Sequence, residues 1–155
     1  MPAQLTELII GDVAIRLRRA GSGPKLLFLH GAGGVPQWLP FFDALADHYE
    51  VLVPEHPGFG SSDDPPWIQS MSDLAMFYLD LIEEAGLDRI HLVGNSLGGW
   101  LAAEILMENL ALRMRARHGD ELLRSVEPYG FVPQGSEVTQ IPAGSTTEIK
   151  DRIRV

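Results

Sequence analysis

The chain has 155 residues, 45% of them hydrophobic, which supplies one compact domain with a core and falls short of two. Its 12 Lys and Arg stand against 21 Asp and Glu, a formal net charge of −9 that repels phosphate backbones and anionic lipid surfaces. Neither nucleic acid nor a membrane is therefore expected as a partner, and the absence of cysteine excludes disulfides, cysteine nucleophiles and cysteine metal sites. A cysteine-free chain also suits a reducing cytoplasm. The N-terminus has no basic stretch leading into an apolar run, so no cleaved signal peptide is expected. No segment approaches the roughly 18 apolar residues of a membrane-spanning helix.

Residues 5–10 and 12–19 flank Gly11 and predict two strands about a tight turn. Val13, Ile15 and Leu17 alternate with polar neighbours, so one face of the second strand is wet. Residues 25–30 form a continuous apolar run between turn residues, the pattern of a strand buried on both faces. A glycine cluster, His30-Gly31-Ala32-Gly33-Gly34, follows at once. Trp38, Phe41, Phe42 and Leu45 then recur at helical spacing. Residues 50–54 give another short buried strand, and Pro54 to Pro66 is punctuated as loop. A helix is predicted from about Ser70 to Ala85, with Leu74, Phe77, Tyr78, Leu81, Ile82 and Ala85 as its apolar stripe. Ser70 with Asp73 resembles a capping box, and Gly86 marks the stop. Residues 89–93 form a strand, and 97–117 a long helix that turns basic near its end. One more strand is expected within 122–131, and residues 132–155 read as loop or disordered tail. Strands alternating with helices imply an α/β fold with a mostly parallel sheet and helices on both faces.

The chemistry centres on Gly94-Asn95-Ser96-Leu97-Gly98-Gly99, placed between the strand 89–93 and the helix after it. A serine hydroxyl is a weak nucleophile and must be held exposed beside a base. A sharp strand-to-helix turn lifts it clear of the sheet, and the close backbone approach calls for glycine two residues to either side. The helix start also offers N–H groups to a developing oxyanion. The His30–Gly34 cluster can turn the backbone and aim further N–H groups, with the His30 ring bracing the loop. The stretch Pro54-Glu55-His56-Pro57-Gly58-Phe59-Gly60-Ser61-Ser62-Asp63 reads as turn punctuation and is assigned no chemistry by itself.

In this order the three segments resemble the N-terminal part of the α/β-hydrolase superfamily, serine-nucleophile branch. That family carries a histidine-glycine oxyanion loop, a proline-glycine turn and a nucleophile elbow, here His30–Gly34, Pro57–Ser62 and Gly94–Gly98. The resemblance covers about residues 5–110 and implies Ser96 as nucleophile. It implies an oxyanion hole from the backbone N–H of Leu97 with that of Ala32 or Gly33. The implied partner is a small-molecule acyl substrate, an ester or similar, with no cofactor and no metal. Epoxide hydrolases and haloalkane dehalogenases of this fold usually carry Asp at the nucleophile position, and Ser96 argues against them.

The family orders its triad as serine, then acid, then histidine. Here the sole histidine after Ser96 is His118, and the only acids between them are Glu104 and Glu108. At 1.5 Å per residue the intervening helix puts His118 on the order of 30 Å from Ser96. Glu127 falls where some relatives place the triad acid, but no histidine follows it. The chain thus reads as a core over 1–131, cut after about the sixth strand, with 132–155 as tail or the start of a lid region. Its uncovered apolar face calls for self-association or a complementing chain. Impaired hydrolysis is the expected function. A catalytically inactive protein of this fold that binds a ligand or partner is the alternative.

Overall fold

The computed structural model describes residues 3–87, 89–118 and 153–154. Strands β1 (Gln4–Ile10) and β2 (Val13–Ala20) form an antiparallel hairpin in which Ile10 faces Val13. Gly11 makes the turn at φ +58°, a left-handed conformation that costs glycine little. Strands β3 (Lys25–Leu29), β4 (Glu50–Pro54) and β5 (Ile90–Gly94) are parallel to one another. With β6 (Ile153–Arg154) beside β5, the sheet order is β1-β2-β4-β3-β5-β6. The strand expected within 122–131 and most of the 132–155 tail lie outside the described residues, and Ile153–Arg154 of that tail form β6.

Helices α1 (Pro40–Ala46), α2 (Met71–Glu84) and α3 (Leu97–His118) cover both faces of the sheet. Alternation along the central strands explains the two layers. Leu27 and Leu29 of β3, Leu52 of β4 and Leu92 of β5 point toward Phe77, Tyr78 and Leu81 of α2 and Leu101 and Ile105 of α3. Leu26, Phe28, Val51 and Val53 point the other way and pack with Phe42 of α1. A strand buried on both faces has no wet side, which is why β3 and β4 read as continuous apolar runs.

Two helix starts follow from local chemistry. Ser70 caps α2, its Oγ accepting from the Asp73 N–H at 3.1 Å, and Gly86 ends the helix at φ +62°. Pro40 opens α1, where a missing N–H costs nothing. This corrects one expectation: Trp38 precedes the helix, and Phe41 is 53% exposed while Phe42 is buried. Proline sets the start two residues after the apolar spacing suggested. Among the described residues no helix is long and apolar enough to cross a membrane.

Candidate active site

Between β5 and α3 the backbone reverses over two residues. The Asn95 N–H donates to the Leu29 carbonyl at 3.0 Å and ties the turn to β3. Ser96 then takes φ +53° and is the one non-glycine residue with positive φ among the described residues. Such a conformation disfavours an L side chain by on the order of 1–2 kcal/mol and persists only where the surroundings enforce it. The flanking glycines show the enforcement. A Cβ on Gly94 would stand 2.1 Å from the Gly98 carbonyl oxygen, and a Cβ on Gly98 would stand 2.0 Å from that of Leu29. Strand β3, the end of β5 and the start of α3 therefore meet backbone to backbone. Ser96 is left exposed at the apex. Its carbonyl accepts from the N–H groups of Gly99 and Trp100, at 2.9 and 3.2 Å. Leu97 is the first residue of α3, and the geometry of an α-helix gives its N–H no intrahelical acceptor.

The glycine cluster lies against this turn. A Cβ on Gly31 would stand 3.4 Å from Ser96 Cβ and 3.1 Å from the Asn95 carbonyl oxygen. A bond from the Gly34 N–H to the Gly31 carbonyl, 3.0 Å, closes a turn with Ala32 and Gly33 at its centre. Both are exposed, and the closing bond uses neither of their N–H groups. The structure thus brings Ala32 and Gly33 to the same end of the sheet as Ser96 and Leu97.

His30 does brace the loop, and it does not do so alone. Its Nδ1 donates to the Gly31 carbonyl at 2.7 Å, and its Nε2 accepts from the His56 backbone N–H at 3.0 Å. The His56 ring stacks on it at 3.7 Å between centroids and donates from Nε2 to the His30 carbonyl at 2.9 Å. Tyr78 of α2 completes the set, its hydroxyl 2.5 Å from His56 Nδ1. Burial lowers the pKa of His56 to about 4 and also depresses that of His30, so both rings are neutral at pH 7. The fully buried Tyr78 hydroxyl is held well above the ordinary phenol range by the same cause.

The loop after β4 is a second brace. Glu55, 7% exposed, pairs with Arg18 of β2 at 2.8 Å and accepts from the Ser61 N–H at 3.1 Å. Burial pushes this carboxyl up, and the two hydrogen bonds together with the charge of Arg18 outweigh it and leave it below its ordinary range. Arg18 also donates to the Pro36 carbonyl at 2.9 Å, tying β2 to the chain just beyond the glycine cluster. Gly60 lies so close that a Cβ there would stand 2.3 Å from Glu55 Oε2. Ser62 Oγ accepts from the Arg16 N–H and donates to the Glu55 carbonyl, each at 3.0 Å.

Sequence reasoning missed Arg18, Glu55, His56 and Tyr78 as parts of this site. A signal for two of them was present: Glu55 and His56 directly follow the buried apolar run Val51–Pro54, where a polar side chain is buried unless the chain turns outward at once. The remaining histidines lie away from Ser96. His91 is paired with Leu26 at the opposite end of β5 and packs on Tyr49, and His48 is exposed after α1. His118 closes α3, 22 residues long, and so lies about 30 Å along the helix from Ser96. Glu104 and Glu108 face α2, where the Ser72 hydroxyl lies 3.1 and 3.0 Å from their Oε1 atoms. Glu127 is outside the described residues.

Comparison with known proteins gives the same core. The model for the alpha/beta hydrolase family matches residues 26–149. The 2-hydroxy-6-oxononadienedioate/2-hydroxy-6-oxononatrienedioate hydrolase of Paraburkholderia phymatum is 33% identical over 143 residues, 86% of this chain and 48% of its own length. The dihydrolipoyllysine-residue acetyltransferase component of the acetoin cleaving system of Cupriavidus necator is 34% identical over 101 residues, 64% of this chain and 27% of its own. The crystal structure of E-2-(acetamidomethylene)succinate hydrolase superposes with a TM-score of 0.64 at 27% identity, over 69% of this chain and 40% of that one. The chain spans less than half the length of each of these proteins.

Proposed function

The chain belongs to the alpha/beta hydrolase family, and from that premise we propose that it is a serine hydrolase acting on an ester or similar acyl bond, with Ser96 as nucleophile. One observation carries the reading: an exposed serine at φ +53°, between glycines that admit no side chain. A turn that only capped a helix would have no need of that strain. In the proposed step Ser96 Oγ bonds to the acyl carbon and the carbonyl pair moves onto oxygen. The N–H of Leu97, with that of Ala32 or Gly33, receives the oxyanion, each donor contributing about 3 kcal/mol in such sites. The hydroxyl proton goes to a base, the leaving group departs, and water then cleaves the acyl-serine.

The described residues offer no histidine for that base. Both ring nitrogens of His30 and of His56 are engaged, and His48, His91 and His118 lie elsewhere. Turnover by these residues alone is therefore slow, sustained by the oxyanion hole and by binding. A complementing chain or a second copy is the proposed source of the base. The exposed Trp100 and Met107 of α3, 59% and 57%, support an association that covers this face. The same placement of the histidines favours a second reading, a protein of this fold that binds a ligand without turning it over.

The test is covalent labelling with a fluorophosphonate, read by intact mass, with Ser96→Ala as control. Labelling that disappears in the variant is the expected result. No labelling of folded protein, at dilute and at high protein concentration, would refute the hydrolase and leave the binding role.

A further inference from the structure

We propose that Tyr78 and His56 are positioning residues of the oxyanion turn, setting it through a one-directional chain of hydrogen bonds that holds only while both buried imidazoles are neutral. The inference rests on the reading of Ser96 and of the 31–34 turn given above.

The direction of every bond follows from its partners. The His30 carbonyl can only accept, so His56 Nε2, 2.9 Å away, carries a proton. In a neutral ring His56 Nδ1 is then bare, and the Tyr78 hydroxyl at 2.5 Å donates to it. The His56 backbone N–H can only donate, so His30 Nε2, 3.0 Å away, is bare. His30 Nδ1 carries the proton and donates to the Gly31 carbonyl at 2.7 Å. That carbonyl also accepts the Gly34 N–H that closes the turn. Fixing its direction fixes the peptide planes that follow, and so the aim of the Ala32 and Gly33 N–H groups. Tyr78 and His56 are fully buried and His30 is 1% exposed, so no water stands in for a lost partner.

A second proton has no place in this chain. On His30 Nε2 it would meet the His56 N–H, a backbone donor that cannot reverse. On His56 Nδ1 it would require the Tyr78 hydroxyl to turn round, leaving its own proton without an acceptor in the core. Among the described residues the groups facing the pair are few: Glu55 and Arg18 act on His30, His56 faces His30 and Tyr78, and Phe59 packs edge-on against both rings. Acid therefore dismantles the turn from within. The acid limb of any Ser96 reactivity belongs to this pair, with no catalytic base needed to explain it.

The experiment uses the full chain. Long-range ¹⁵N–¹H spectra of the imidazoles at pH 7 are expected to show His30 protonated at Nδ1 alone and His56 at Nε2 alone; the opposite tautomer at either ring overturns the proposal. In Tyr78→Phe the neutral form of His56 loses its donor, and the protonated form loses the oxygen that would accept from Nδ1. The acid limb of fluorophosphonate labelling is then expected to be displaced by about half to one pH unit. Hydrogen exchange of the Gly34 N–H should accelerate about fivefold. A merely structural role for the hydroxyl would lower labelling equally at every pH, and a profile parallel to the wild type overturns the proposal. Where Tyr78→Phe does not fold, Gly34 exchange in the wild type decides. Its protection must fall in step with imidazole protonation as the pH is lowered, and protection that persists overturns the proposal. If wild-type protein is folded yet unlabelled, the Ser96 reading fails, while the tautomers and Gly34 exchange still decide this one.

Discussion

Gly98 and Gly99 are neighbours in one helix, and the packing predicts opposite responses to the same methyl group. In Gly98→Ala the new Cβ stands 2.0 Å from the Leu29 carbonyl oxygen, 2.4 Å from its carbon and 2.8 Å from the His30 carbonyl oxygen. All three are backbone atoms of β3 and the chain just after it, so no side chain can swing aside. Reaching ordinary contact, which begins near 3.4 Å, requires α3 and β3 to part by about 1.4 Å at the elbow. Overpacking of this kind costs on the order of 3 kcal/mol or more. In Gly99→Ala the nearest atom is the Gly94 carbonyl oxygen at 3.6 Å, which is normal contact. There the gain in helix propensity decides, worth up to about 1 kcal/mol. Urea unfolding followed by circular dichroism is expected to separate the two variants by roughly 3–4 kcal/mol, with wild type between them. Fluorophosphonate labelling should be lost in Gly98→Ala and retained in Gly99→Ala. A Gly98→Ala protein as stable as wild type would show that β3 and α3 are not in backbone contact and that nothing enforces the turn at Ser96.

Two further predictions concern the braces. Arg18→Met removes the partner of a nearly buried carboxylate and should destabilise by about 2 kcal/mol at pH 7. Because Glu55 is held below its ordinary range, its contribution is present above that range and lost as the pH falls through its folded value. The variant and the wild type should therefore converge in acid, and a deficit independent of pH would refute the ion pair. His56 works with a similar sign by a different route. Its folded value near 4 lies below the free value of 6.5, so between the two the unfolded chain binds the extra proton. Stability is complete above about pH 6.5 and falls by roughly 3 kcal/mol as the pH drops toward 4. Urea midpoints measured from pH 7.5 to 4 should show that slope, and His56→Gln should lose most of it, keeping the smaller part that His30 contributes; equal slopes in the two proteins would refute the assignment.

The sequence by itself determined the local features. Gly94-x-Ser96-x-Gly98 between an apolar strand and a helix is legible because a tight reversal demands glycine wherever backbones meet. Ser70, Gly86 and the apolar stripe through Leu74, Phe77 and Leu81 set α2 for equally local reasons. The apolar runs of β3 and β4 announce strands covered on both faces, and the family resemblance follows from the order of three short motifs. The distance of His118 from Ser96 was legible too, since helix rise converts residue count into length.

Tertiary structure alone decided the partners. Nothing near Tyr78 in sequence says that its hydroxyl meets a histidine 22 positions earlier, or that Arg18 meets Glu55 across 37 residues. Tyr78 sits on the apolar stripe and reads as core, and its polar tip acquires a role only when β4 delivers His56 to it. The pattern marks Gly98 as glycine, but the atom that would meet a side chain there, the Leu29 carbonyl oxygen of β3, is known only from the packing. Local pattern is written by interactions a few residues apart, which sequence spacing records. The shape of the candidate site depends on contacts between strands and helices distant in the chain, and only the packed sheet fixes those.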